Sequence, residues 1–451
     1  MPSALFAPLF GSPKVEAALS NAAQIQAMLD MEAVLARVQA SLGVIPQTAV
    51  GPIVAAAKVD LYDLTRLAAD CAIAGNTAIP LVKHLTQQVA TNDPDAARFV
   101  HYGATSQDVM DTGAVLQWRA VLDLVAADLD RAIAASARLA ATHRDTAMAG
   151  RTWLQQALPL TYGLKVAGTC DALLRHRERL MEARPRVLAL QFGGAVGTLA
   201  SLGPKGPAVA EALAIELGLA PAAPWHGQRD RVFEIASLMA GIAGSAAKFA
   251  GDTALLMQTE IAEVAEPTMP GRGGSSTMPH KRNPMISATI LGAAQQVPGL
   301  VATLAHAANG EHERAAGSWQ SEWTALPDLL RLSAGALHHL VTLLEGLTVD
   351  RDRMAANLAL TNGLLMAEAV QMALAPHLGR LVAHDRIEAA CREAVATKRP
   401  LLDVLAEDSA VTVHLDRAAL AKALDPATYL GASGAIVDAI VARAAKIAPR
   451  A

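Results

Sequence analysis

Between Pro270 and Pro284 the chain reads PGRGGSSTMPHKRNP, with three glycines, three prolines and the adjacent hydroxyls of Ser275 and Ser276. Such a run cannot continue a helix, and it is too long and too glycine-rich for a tight turn. Its side chains could do chemistry. The serines follow a Gly-Gly hinge, and Lys281 and Asn283 can hold carboxylate oxygens. On composition alone the segment reads equally well as a binding loop or as a plain surface connection. Two other stretches cluster polar groups in a similar way. His101 precedes GATSQD at residues 103–108, which carries Thr105 and Ser106, and GRTWLQQALP at residues 150–159 carries Trp153 and Gln155.

The elements that must position these groups read as helices. The 451 residues are 52% hydrophobic but only 3% aromatic, with alanine and leucine, both strong helix formers, carrying the excess. No proline falls between Pro94 and Pro159, Pro224 and Pro267, or Pro327 and Pro376. Within the second gap, Val232, Ile235, Leu238, Met239, Ile242 and Ala246 recur at helical spacing. The acids Glu260, Glu263 and Glu266 extend the pattern, predicting a helix of roughly 35 residues and 50 Å up to Pro267. A helix so apolar on all sides must be buried on several of them. Identical helices from other subunits are the economical cover.

Alternating strand patterns are nearly absent. The glycine-rich stretch 191–203, QFGGAVGTLASLG, lacks both a preceding strand and a phosphate-loop lysine, so it reads as a structural turn or short hairpin. The expected fold class is therefore all-α, with a helical domain over 1–108, a long-helix bundle over 109–355 and a helical domain over 356–451.

Several function classes are excluded by composition. A net charge of −4 without a basic face argues against nucleic acid. Cys71, Cys170 and Cys391 are too far apart in sequence for a disulfide framework or a CxxC metal site, which suits a reduced, cytoplasmic setting. No HExxH, Cys/His cluster or DxD loop offers a metal site. The adjacent His338 and His339 cannot present both rings to one site from a helix and read as structural. The apolar runs 235–247 and 285–305 read as too short for a membrane span or as broken by Gln295, Gln296 and Pro298. The proline-bearing N-terminus does not read as a signal peptide.

GSSTMPHKRNP at residues 274–284 resembles the signature of the fumarase/aspartase superfamily, the fumarate lyases, whose pattern is GSSxMPxKxNP. GATSQD and GRTWLQQALP resemble the two other segments of that family, in the same order. The likeness extends to QRDR at 228–231 and EHER at 311–314. It implies an all-helical chain of three domains in a homotetramer with a twenty-helix core, its sites shared between subunits and no cofactor. It also implies a base or proton carrier at Ser276, with Ser275 as second choice, and binding of substrate carboxylates by His101, Thr105, Ser106, Lys281 and Asn283. Trp153, Gln155 and Arg314 complete the implied substrate-binding set.

Trp153 departs from the family pattern, which usually has histidine there to protonate a departing nitrogen. A carboxylate leaving group needs no such acid, because its conjugate acid has a pKa near 4. The departure implies the cycloisomerase branch, in which one carboxylate of a small tricarboxylate adds to a conjugated double bond and closes a lactone. One alternative is a C–N lyase that releases fumarate, which shares QRDR and the HER-like segment but would lack its acid here; another is a non-catalytic structural or binding protein on the same scaffold, against which the intact GSSTMPHKRNP argues.

Overall fold

The structure is a computed structural model that describes residues 5–268, 278 and 280–447. It is 71% helical with few strands. Five long helices dominate: Ser106–Thr142, Tyr162–Val187, Asp230–Leu256, Met285–Ala307 and Ser318–Gly346. The first has 37 residues without a proline, about 55 Å at 1.5 Å per residue.

By contacts the chain divides into two compact units. The first comprises Met1–Leu129, Arg175–Ala247 and Thr289–Leu340, the second Asp130–Leu174, Lys248–Ala288 and Val341–Ala451. In the first, the periodic set of Asp230–Leu256 is buried as a whole, from Val232 through Ile235, Leu238, Met239 and Ile242 to Ala246. Leu29, Val109, Val121, Leu213, Leu329 and Leu337 are also fully buried in that unit. Each such side chain contributes about 1.5–3 kcal/mol relative to exposure. The second unit has its own core, in which Val370, Leu374, Ile387, Leu401, Leu405, Val411 and Leu420 pack together.

Three sequence expectations are corrected. The helix expected to reach Pro267 stops at Leu256. Beyond it Ala262 has φ +52°, and Val264–Ala265 pairs antiparallel with Thr348–Val349. The spacing of Glu263 and Glu266 mimicked a helical face, but both are buried anchors, described below. A hairpin that strand patterning did not announce joins Ala147–Thr152 to Gln155–Thr161, with a register irregularity between Ala149 and Arg151. Finally, Asp230–Leu256 and Met285–Ala307 are each long and apolar enough to cross a membrane by length and composition. Their best 18-residue windows have a mean hydropathy of 1.3 and are 50% and 33% buried. Gln295, Gln296 and Pro298 lie inside the second helix rather than ending it.

The stretch 191–203 forms no strand. It runs irregularly, with Gly194, Gly197 and Leu199 left-handed, into a 3-10 turn at Ala200–Lys205. His338 and His339 point to different partners, Asp128 at 3.4 Å and the Leu9 carbonyl at 3.1 Å. The three cysteines are free thiols.

Candidate active site

In the first unit the polar groups gather at the N-terminus of Ser106–Thr142. Thr105 caps this helix: its carbonyl accepts the Asp108 N–H at 3.0 Å, while Asp108 Oδ2 accepts the Thr105 N–H at 3.0 Å. This is the backward half of a capping box, and a helix start presents N–H groups and a positive dipole to anions. Thr105 does not spend its hydroxyl on the cap. The hydroxyl oxygen instead accepts from Arg314 at 3.3 Å, which leaves its proton free to donate.

Asp108 holds much more than the cap. It is fully buried, and its Oδ1 accepts from Gly193 N at 2.9 Å, Gln191 Nε2 at 3.1 Å and His226 Nε2 at 3.1 Å. Its Oδ2 also accepts from Gly194 N at 2.9 Å. Gly194 donates from a left-handed backbone (φ +70°), which explains the glycine. Gly103 is required for a second reason: at φ +76° a Cβ there would come within 2.5 Å of Leu202.

Behind this turn lies a buried charge network centred on Arg229 of the QRDR segment. Arg229 reaches Asp111 at 2.7 and 3.1 Å, shares a second hydrogen-bonded pairing with Glu322, and stacks 4.8 Å over Trp225. Trp319 donates to Asp111 at 3.1 Å. Burial pushes the Glu322 carboxyl up, against the pull of Arg229. Gln107 ties the network to the turn, donating to Asp111 and to the His226 carbonyl at 3.1 Å each. Its oxygen accepts from Arg314 Nε at 2.9 Å. Arg314 also donates to the Ala195 carbonyl at 3.2 Å, so it joins three loops.

His101 sits just before this turn in a left-handed conformation (φ +58°), with Nδ1 2.5 Å from Glu32 Oε1. Burial works against the charged ring, but Glu32 and Asp108 outweigh it, so its pKa stands above the ordinary histidine value.

The second unit carries the remaining expected residues. Trp153 and Leu154 form the two-residue tip of the hairpin, with φ +52° and +63°, and are 96% and 75% exposed. A tip with both residues left-handed normally takes Asn-Gly. A large apolar pair there costs about 1–2 kcal/mol per residue, and such strain marks a site held for function. Gln155 follows at the tip, exposed. The hairpin is held from below by Glu263, fully buried, which accepts both guanidinium arms of Arg151 at 2.7 and 3.0 Å and the Asn357 amide at 2.8 Å.

Lys281 and Asn283 lie just before Met285–Ala307. The start of that helix is capped from a distance: Glu266 accepts from Ile286 N at 2.8 Å, Ser287 N at 2.7 Å and Ser287 Oγ at 2.6 Å. Ser275 and Ser276 lie outside the described residues. Thr105, Ser106, Arg314 and His101 thus lie in the first unit, where Arg314 bonds Thr105, while Trp153, Gln155, Lys281 and Asn283 fall in the second.

Sequence reasoning passed over Asp108, Glu32, Glu263 and Glu266 as individual groups. Thr105-x-x-Asp108 before an apolar run was a usable cap signal. Glu32 gave another, as an acid set between Met31 and Ala33 in the apolar stretch of Asn21–Ser41.

Comparison with known proteins agrees with these segments. The pattern of the family described as "Lyase" matches residues 12–299, and that described as "Adenylosuccinate lyase C-terminus" matches 363–440. The chain is 54% identical to the 3-carboxy-cis,cis-muconate cycloisomerase of Pseudomonas aeruginosa, over 97% of this chain and 96% of that one. It is 52% identical to the protein of the same name from Bradyrhizobium diazoefficiens, over 97% and 98%. The crystal structure of the 3-carboxy-cis,cis-muconate lactonizing enzyme from Pseudomonas putida superposes with a TM-score of 0.94 at 49% identity, covering 99% of this chain and all of that one. With the signature loop, the capped Thr-Ser turn and the Trp-tipped hairpin in family order, the chain belongs to the fumarase/aspartase superfamily, the fumarate lyases.

Proposed function

We propose that this chain is an isomerase that closes 3-carboxy-cis,cis-muconate to 4-carboxymuconolactone (2-carboxy-5-oxo-2,5-dihydrofuran-2-acetate), a step of protocatechuate breakdown by the β-ketoadipate route. The observation that carries this reading is Trp153 at the hairpin tip. Where an eliminating relative needs an acid for its departing nitrogen, this chain offers an indole, which cannot give up a proton at working pH. A carboxylate nucleophile and leaving group needs none.

In the lactonizing direction one substrate carboxylate oxygen attacks the conjugated double bond, and the electron pair moves onto the carboxylate conjugated with it. A proton then reaches the α-carbon, supplied by Ser276, with Ser275 the second choice. The trianion becomes a dianion, so each turnover takes up one proton. Tethering makes the attack unimolecular, and holding the diene ends in place supplies much of the acceleration. Thr105 and Ser106 at a helix start, His101, Lys281 and Asn283 are the donors for the carboxylates that develop or keep charge. Gln155 extends that set, and Arg314 acts on it by holding Thr105. No cofactor or metal takes part.

We read the working form as a cytoplasmic homotetramer with sites shared between subunits, binding neither nucleic acid nor membrane. The apolar surfaces of Asp230–Leu256 and Met285–Ala307 support burial against other copies of the chain.

Purified protein given 3-carboxy-cis,cis-muconate should remove the diene absorbance with one proton taken up per molecule. Adenylosuccinate, given separately, should release no fumarate; fumarate release without diene loss would replace the reading by a C–N lyase. Ser276→Ala should lower turnover by at least about 100-fold, the lower range for loss of a positioned acid–base group, with assembly intact. Wild-type turnover in that variant removes Ser276 from the proton-carrying role.

A further inference from the structure

Glu32 belongs to Asn21–Ser41, a helix whose other buried residues are almost all apolar. The residue is 1% exposed, and its Oε2 is buried without a hydrogen-bond partner. The other oxygen meets His101 Nδ1 at 2.5 Å. A solitary buried carboxylate is expensive, because no water replaces its lost hydration. Among the described residues His101 is the only group bonded to it, so the pair is stable only when it keeps a proton between Oε1 and Nδ1. With Nδ1–H donating to Oε1, a second proton on the ring sits on Nε2, and the negative charges of Glu32 and Asp108 hold it there. Nε2 has no partner among the described residues, and the ring, 18% exposed, still opens to solvent. The charged groups bearing on the ring are both acidic: Glu32 from Asn21–Ser41 and Asp108 from Ser106–Thr142. The left-handed backbone at His101 adds a second sign that the ring is held in a chosen direction.

We propose that Glu32 is a positioning residue that keeps the Glu32–His101 pair protonated and aims His101 Nε2–H at one carboxylate of the substrate. This rests on the tricarboxylate reading of the preceding subsection. A merely structural Glu32 would fill space and tie two segments. A charge-setting Glu32 makes substrate affinity independent of pH across the range in which a free imidazole would lose its proton.

The test compares wild type with Glu32→Gln, which keeps the shape, and Glu32→Asp, which keeps the charge. KM and kcat are measured from pH 5.5 to 8. Glu32→Gln should raise KM by about 10-fold at pH 7.5–8, the share of one charge-assisted hydrogen bond, with kcat much less affected. The deficit should vanish toward pH 5.5, where the imidazole protonates unaided. Glu32→Asp should recover part of it. In parallel, the His101 ring is titrated by NMR on histidine-labelled protein without substrate, its signal assigned by its loss in His101→Asn. Its titration should fall to a lower pH in Glu32→Gln. A deficit of equal size at every pH, no deficit at all, or an unmoved titration overturns the proposal. If wild type does not convert 3-carboxy-cis,cis-muconate, the functional reading fails by itself, and the ring titration still decides whether Glu32 sets the proton.

Discussion

Replacing Asp108 by asparagine tests whether one carboxylate organises the first half of the site. The substitution keeps the shape and removes the charge and one acceptor. Asp108 accepts five hydrogen bonds, three at Oδ1 and two at Oδ2. In its cheaper orientation the new amide places its oxygen toward Gly193, Gln191 and His226. The NH2 then faces the N–H groups of Gly194, buried, and Thr105, half-buried, leaving both donors without acceptors. Each costs about 1–3 kcal/mol, so the loss is about 2–6 kcal/mol. With an unfolding entropy of about 2.1 cal/mol/K per residue, the 451-residue chain should lose roughly 1 °C per kcal/mol, a drop of about 2–6 °C. The catalytic cost should exceed the structural one. Thr105 and the 191–194 segment lose a shared anchor, and a misplacement near 1 Å costs on the order of 100-fold in kcat/KM. Differential scanning fluorimetry and the diene assay read the two effects on one preparation. A melting point within 1 °C of wild type together with turnover within about twofold would refute the assignment of Asp108 as the hub.

Three further outcomes are expected. Trp153→Asn combined with Leu154→Gly suits the left-handed tip better, so the isolated hairpin should lose strain while diene turnover falls sharply; undiminished turnover would place Trp153 outside the site. Burial, reinforced by Arg179 and Arg175, pushes His176 down to about 4, so the unfolded chain takes up a proton first as pH falls below 6.5. Stability from this group is therefore whole at neutral pH and should drop by about 1–2 kcal/mol between pH 7 and pH 5 after solvent screening, as read by urea unfolding, and His176→Gln should flatten that slope. Glu266→Ala strips three bonds from the start of Met285–Ala307 and should cost about 1–2 kcal/mol of the kind lost with a helix cap, seen as faster amide exchange at Ile286 and Ser287.

Helices were legible where burial follows one face. The Val232–Ala246 series is buried throughout because a single stripe meets the core of its own unit. Legibility failed where side-chain spacing served a different purpose. Glu263 and Glu266 stand three apart as on a helix, but one clamps Arg151 and the other caps a helix twenty residues on. The hairpin was hidden because its tip is Trp-Leu rather than Asn-Gly, a choice no local propensity favours. The site segments were readable as motifs, since each concentrates glycine, hydroxyl and amide groups. Their anchors were not, because Glu32 and Asp108 act on partners 69 and up to 118 residues away in sequence, and such pairings leave no periodic trace.

The hairpin tip also has an optical consequence. Of the five tryptophans, Trp118, Trp225 and Trp319 are buried and Trp323 is partly so, while Trp153 stands almost wholly in solvent. Its emission in a lone subunit is therefore separable from the others, red-shifted and open to iodide or acrylamide. Any surface that covers the tip, whether another subunit or a bound substrate, must shift that one component to the blue and shield it from quencher. The residue that distinguishes the chemistry thus doubles as an unlabelled gauge of the state in which that chemistry runs.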